Sequence, residues 1–274
     1  MKNILVIGLG LIGGSIAKSL NTTKFNVFGI DANSQTIEKA LNDKIISQKF
    51  NNVKEFLAHY DDGIIVFATP PSSVIEIIES NKEILDTNFS LTDVSSSKLN
   101  ISRFLDRYEP KNFVFSHPIA GSHKSGYENS RKDFLNQKKV IISKYFSQDE
   151  HYQTIRELWT SMKTDVVQLS VDEHENIFSA TSHLPHLISY ALIKTINEKD
   201  IDVEKFSAGG LSEFIRLTKS SEALWSDIFK SNHENIEKDI EAFVKNMYEL
   251  LEDASKKDSK SLLKKIQLIK KGVG

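Results

Sequence analysis

The chain has 274 residues and no cysteine, which excludes disulfides, thiolate nucleophiles, zinc–thiolate sites and iron–sulfur clusters at once. It also lacks an excess of either charge. With 35 Lys+Arg against 37 Asp+Glu the formal net charge is −2, so no global field invites nucleic acid or anionic lipid. An anionic partner must be met by a local group. Beyond the N-terminus no segment approaches the roughly 20 uninterrupted apolar residues of a membrane-spanning helix. No nucleic acid, no membrane and a cytoplasmic location are therefore expected, provided that the N-terminus is not a secretory leader. A chain of this length buries a core without staples, and two domains are expected.

What the chain does have is two kinds of patterning. Up to about residue 170, short runs rich in Val, Ile and Phe alternate with stretches of helical spacing, the pattern of βαβ units building a parallel sheet. NILVIG, NVFGID, GIIVFAT, FSLTDV, FVFSHP, KVIIS and DVVQLS read as strands, and helices are expected to start near Gly10, Ser34, Ser72 and Ser96. After Val171, Pro and Gly become scarce and the apolar spacing turns to threes and fours. Helices are expected there over 173–197, 201–219, 221–253 and 257–271, with no strand. The basic tail KKDSKSLLKKIQLIKK sets Leu262, Leu263, Ile266 and Ile269 on one face, which favours a packed helix with solvated lysines over nucleic-acid binding.

The stretch ILVIGLGLIGGSIA, residues 4 to 17, fits a signal core or a phosphate-binding turn. Four glycines would make a poor signal helix, and Lys2 alone makes a thin charged region. The spacing Gly8-x-Gly10-x-x-Gly13 follows an apolar strand and opens a helix, and the next strand ends in Asp31, where an acidic group would hold ribose hydroxyls. Gly8 permits the tight turn, Gly10 lets the backbone approach a pyrophosphate, and Gly13 lets helix pack on strand. Leu11 and Ile12 open the helix whose N–H groups would face the phosphates. Asp31 accepts from a ribose diol and repels a 2′-phosphate, so NAD is the expected cofactor; its other use would be to cap the helix near Ser34. Thr69 and Pro70, ending GIIVFATPP, would wall the cofactor at the carboxyl edge of the sheet or simply fix a turn. The expected fold is α/β: a Rossmann-type, mostly parallel sheet domain over 1–170, then an all-α domain over 171–274.

TDVSSSK (92–98) and FSHPIAGSHKSG (115–126) both begin as strands and end as polar loops, so both deliver polar groups to that edge. Ser95 falls on the cofactor side. His117 stands at a strand end, held extended by Pro118, where a neutral imidazole makes a general base, with Ser96 near enough to bond one ring nitrogen. The alternative is a structural histidine. Ser122 and Lys124 lie in the same loop and are candidate substrate contacts. SHLPH sets His183 and His186 three residues apart, for a substrate pocket or helix packing; a metal site would need a third ligand, and none is expected.

GLGLIGGS, DVSSSK, HPIAGSHKSG, SHLPH and GGLSEFIRLTKSSEALWSDIFKSN, in this order over residues 6 to 232, resemble the motifs of the prephenate dehydrogenase family and its arogenate-specific relatives. The resemblance implies NAD-dependent oxidative decarboxylation of prephenate, or of arogenate, in tyrosine biosynthesis. It also implies a homodimer formed through the C-terminal helices. By resemblance His117 bonds the substrate's C4 hydroxyl, Ser96 orients it, and Arg216 in FIRLTKSS binds a carboxylate, with a guanidinium suited to a bidentate pair. Trp225 and Asn232 match family positions in the helical part. The chain departs from the pattern at His123, at Ser212-Glu213 and at Ile215, where the family commonly has an acidic residue, an Arg-Asp pair and a Thr. A β-hydroxyacid dehydrogenase on the same two-domain plan is the alternative; such enzymes place a catalytic lysine in the first long helix after the sheet, where this chain has SHLPH. No appended regulatory domain is expected after the helices.

Overall fold

The computed structural model describes residues 1–20, 24–121, 124–199, 201, 209–256 and 259–272. Eight strands form one sheet: β1 (Lys2–Ile7), β2 (Phe25–Ile30), β3 (Gln48–Lys49), β4 (Asp62–Phe67), β5 (Asn88–Asp93), β6 (Phe113–Pro118), β7 (Lys139–Lys144) and β8 (Asp165–Gln168). Their order is β3-β2-β1-β4-β5-β6-β7-β8, so the chain runs outward from β1 one way and then, from β4, the other. That reversal opens the crevice in which doubly wound sheets hold ligands. Pairing is parallel except between β6 and β7, whose connection is irregular rather than a crossover helix. The two-residue β3 escaped the periodicity because it is too short to alternate.

The runs Ile4–Ile7 of β1 and Ile64–Phe67 of β4 are apolar without a break because both faces are covered. Ile4 and Val6 pack with Leu9, Ile16, Leu20 and Trp159 on one side, Leu5 and Ile7 with Phe56, Phe67, Phe89 and Phe113 on the other. Helices α1 (Leu11–Leu20), α2 (Ser34–Asn42), α3 (Val53–Leu57), α4 (Pro71–Glu79), α5 (Leu99–Leu105) and α6 (Asp149–Ser161) supply the covering layers. Helix α5 starts three residues later than the serine pattern suggests, because Ser97 and Lys98 are engaged in tertiary bonds.

The helical part comprises α7 (Val171–Phe178), α8 (Leu184–Asn197), α9 (Gly209–Thr218), α10 (Glu222–Ser231), α11 (His233–Ser255) and α12 (Ser259–Lys271). Two expected continuous helices are interrupted. The segment 173–197 contains a π turn at Ser179–His183, and 221–253 breaks at Asn232, which leaves helical geometry at φ −106° and ψ 28°. Asn232 is fully buried and spends its side chain on other elements, a tertiary gain that outweighs helix continuity. Among the described residues no helix is long and apolar enough to cross a membrane.

Candidate active site

Strand register alone brings the candidate residues together. Ile7 pairs with Phe67, Phe67 with Asp93, and Thr92 with Val114. Continued past the strand ends, the same offsets put Leu9, Thr69, Ser95 and His117 level across the carboxyl edge. The glycine turn, Thr69–Pro70 and His117 therefore share one rim.

The three glycines differ in what a side chain would meet. Gly8 has φ +88°, and a Cβ there would sit 2.5 Å from the Ala68 carbonyl oxygen. A Cβ on Gly13 would lie 1.8 Å from the Gly8 oxygen, so α1 packs on the turn only without one. Around Gly10 a Cβ would meet nothing within 4 Å. Packing does not demand that glycine, and the open space fits a ligand approaching the backbone. Asp31 accepts from Leu9 N at 2.6 Å and Asn33 N at 2.8 Å, tying the turn to the end of β2 while leaving acceptor sites for a diol. Asn33 rather than Asp31 caps α2.

Two buried hydroxyls on the rim, Thr69 Oγ1 and Ser95 Oγ, have no hydrogen-bond partner among the described residues. Buried polar atoms are rarely left so, and both fit a polar ligand in the crevice. Leu11 opens α1, half-buried Ile12 packs on the core beneath it, and Pro70 stands exposed at the start of α4. These features fit a dinucleotide along the rim.

His117 is 9% exposed and sits in a polar chain that crosses from the sheet to the helices. Its Nδ1 lies 2.8 Å from His174 Nε2, and His174 Nδ1 lies 2.8 Å from Glu175 Oε1. The Phe178 ring, centred 4.8 Å and 4.5 Å away from the two imidazoles, closes one side. Glu175 also accepts from Ser97 Oγ at 2.7 Å and Lys98 N at 2.6 Å, and its carbonyl accepts from Asn232 Nδ2. Lys98, 1% exposed, donates to Asp93 at 2.7 Å and to the Ser116 carbonyl, pinning β5 to β6 directly before His117. Burial, reinforced by neighbouring His174 and Lys98, holds His117 well below the ordinary histidine range, and burial lowers His174 in the same way. Burial would raise Glu175, but the bonds from His174, Ser97 and the Lys98 amide outweigh it and keep the carboxylate ionised.

One expectation is corrected here. Ser96, half-buried on the loop after β5, makes no hydrogen bond to His117; the partner on Nδ1 is His174. The polar groups of this loop that reach the chain are the next two, Ser97 and Lys98.

A second cluster surrounds SHLPH. The π turn rotates His183 inward, where its Nδ1 accepts from Asn232 at 3.2 Å and burial lowers its pKa to about 4. His186, one turn on, stacks on Trp225 at 3.5 Å and 20°. Arg216 on α9 is exposed, pairs with Glu213 at 3.0 Å, and is close enough for its charge to lower His186. No bond joins Arg216 to His117 among the described residues; Asn232, which donates to both His183 Nδ1 and the Glu175 carbonyl, links the two clusters. Lys124 is exposed beyond β6, while Ser122 and His123 lie outside the described residues.

Two family models match consecutive segments: the prephenate dehydrogenase nucleotide-binding domain over residues 16–168 and the prephenate dehydrogenase dimerization domain over 170–268. The chain belongs to the prephenate dehydrogenase family. The prephenate dehydrogenase of Bacillus subtilis is 27% identical over 95% of this chain and 72% of its own, and that of Lactococcus lactis subsp. cremoris 29% identical over 96% and 74%. A crystal structure of prephenate dehydrogenase from Aquifex aeolicus, in complex with hydroxyphenyl propionate and NAD+, superposes with a TM-score of 0.90. It is 31% identical and covers 98% of this chain and 96% of that one. Within this member of the prephenate dehydrogenase family, the residues around His117 that sequence reasoning missed are His174, Glu175, Lys98 and Asp93. Lys98 and Asp93 end and open motifs already in view. The adjacent acid and imidazole of HEN were a weak signal, since only folding sets them against β6.

Proposed function

We propose that the chain is an NAD-dependent prephenate dehydrogenase of tyrosine biosynthesis. The observation that carries this is that the strand register, continued past Ile7, Phe67 and Asp93, brings Leu9, Thr69 and Ser95 level with His117, which supports a dinucleotide along this rim beside a buried neutral imidazole. NAD+ held along that rim would accept hydride from ring C4 of prephenate. Gly10, the opening N–H groups of α1 and Asp31 would bind its pyrophosphate and ribose, and Thr69, Pro70 and Ser95 would border its nicotinamide end. His117 takes the C4 hydroxyl proton as that carbon becomes a carbonyl, then returns it as loss of the C1 carboxylate as CO2 aromatises the ring to 4-hydroxyphenylpyruvate. Arg216, freed from Glu213, would pair with a substrate carboxylate, and His183, His186, Ser122 and Lys124 complete the substrate contacts. Ser96 keeps a role only toward bound substrate.

The helical part is proposed to form a homodimer, which would cover Tyr248, Leu251, Leu263 and Leu268, apolar side chains now more than half exposed. A cytoplasmic location belongs to the same proposal. The test is absorbance at the NADH band with purified chain, NAD+ and either prephenate or arogenate. Turnover on prephenate supports the proposal, preference for arogenate moves it to the relative, and silence with both overturns it.

A further inference from the structure

The buried pair His174–Glu175 has no part in the scheme above, yet it dictates which nitrogen of His117 carries a proton. Glu175, ionised, can only accept, so the proton shared with it sits on His174 Nδ1. His174 is held neutral, which leaves its Nε2 bare and able only to accept. The 2.8 Å contact to His117 is then satisfied in one way, by a proton on His117 Nδ1. His117 Nε2 is left with a free lone pair.

We infer that His174 and Glu175 are positioning residues that lock His117 in the Nδ1–H tautomer, so that Nε2 is the base. This rests on the proposed function and extends it from the sheet into the helical part. When Nε2 takes the hydroxyl proton, the O–H bond breaks and an N–H bond forms. The resulting imidazolium donates from Nδ1 to His174, whose own Nδ1–H faces the Glu175 carboxylate. The other charged or titratable groups facing His117 are Lys98 with its partner Asp93, from β5 and its loop, and His183 from the π turn. Lys98 opposes the cation and is itself offset by its ion pair with Asp93, so the Glu175 carboxylate, through His174, is the group outside that pair that favours it.

Imidazole 15N NMR of the whole chain, with the His117 signals assigned by their loss in His117→Asn, reads the tautomer without turnover. The expected result at pH 7 is a protonated Nδ1 and a bare Nε2; a protonated Nε2 overturns the inference. His174→Leu should release the tautomer and lower kcat about 10²-fold with NAD+ affinity within twofold of wild type. His174→Gln, which keeps an acceptor oxygen, should restore most of that loss; if the leucine variant does not fold, Glu175→Gln carries the kinetic test. Glu175→Gln keeps an oxygen for the His174 proton but removes the charge, so the acid limb of the kcat/KM profile should move to lower pH. Wild-type profiles in both His174→Leu and Glu175→Gln would overturn the relay while leaving the dehydrogenase assignment intact. A wild-type chain silent on both substrates would overturn that assignment, and the NMR result would still decide the tautomer.

Discussion

At the residue scale, the side chains nearest the chemistry are those whose charge is most constrained. His117 is kept neutral by burial beside the buried Lys98 cation, so it enters the reaction as a base rather than an acid. His117→Asn is expected to lower kcat by about 10²-fold or more while NAD+ still binds, checked by steady-state kinetics beside a cofactor titration. Arg216 is exposed and, among the described residues, ion-paired only within its own helix, so its loss should leave the fold untouched. Arg216→Ala should chiefly raise the KM for the carboxylate substrate, with an unchanged melting temperature. Lys98 is the opposite case, since removing it leaves buried Asp93 without its ion-pair partner. Lys98→Met should cost about 3–5 kcal/mol in chemical denaturation, whatever it does to turnover.

At the scale of elements, the glycine turn separates packing from binding. Gly13→Ala would drive a methyl group into the Gly8 carbonyl and force α1 off β1, so it should cost about 3 kcal/mol and abolish NAD+ binding. Gly10→Ala meets open space and should keep the melting temperature while weakening NAD+. Thermal melts with and without cofactor distinguish the two. The interruptions at Ser179–His183 and Asn232 act in concert: the π turn aims His183 inward, and the break frees Asn232 to bond both His183 and the Glu175 carbonyl.

At the scale of the whole molecule, burying neutral histidines makes stability depend on pH. His183 titrates near pH 4 folded against an ordinary value of 6.5, so the unfolded chain binds more protons between those limits. Stability should be full above about pH 6.5 and fall as the pH drops toward 4, by about 3 kcal/mol from this group. Guanidinium denaturation at stepped pH measures this, and His183→Asn should reduce the slope, leaving the part due to buried His117 and His174. If the exposed apolar row on α11 and α12 is a subunit interface, Tyr248→Glu with Leu251→Glu should give a monomer by light scattering.

Seven of the strand segments, the glycine turn, Asp31 at the end of a strand and the position of His117 at a strand end were legible in the sequence. Each depends on neighbours within a few residues, or on an apolar period that only a doubly covered strand satisfies. The partner of His117 was not legible. Ser96 is its neighbour by motif, but the bond belongs to His174, 57 positions along the chain and in the other half of the molecule. Helix ends at Ser179 and Asn232 were equally hidden, because local periodicity there favours continuity. Local spacing determined which groups stand at the sheet edge; tertiary burial, by forcing every enclosed polar atom to find a partner, decided how they are joined.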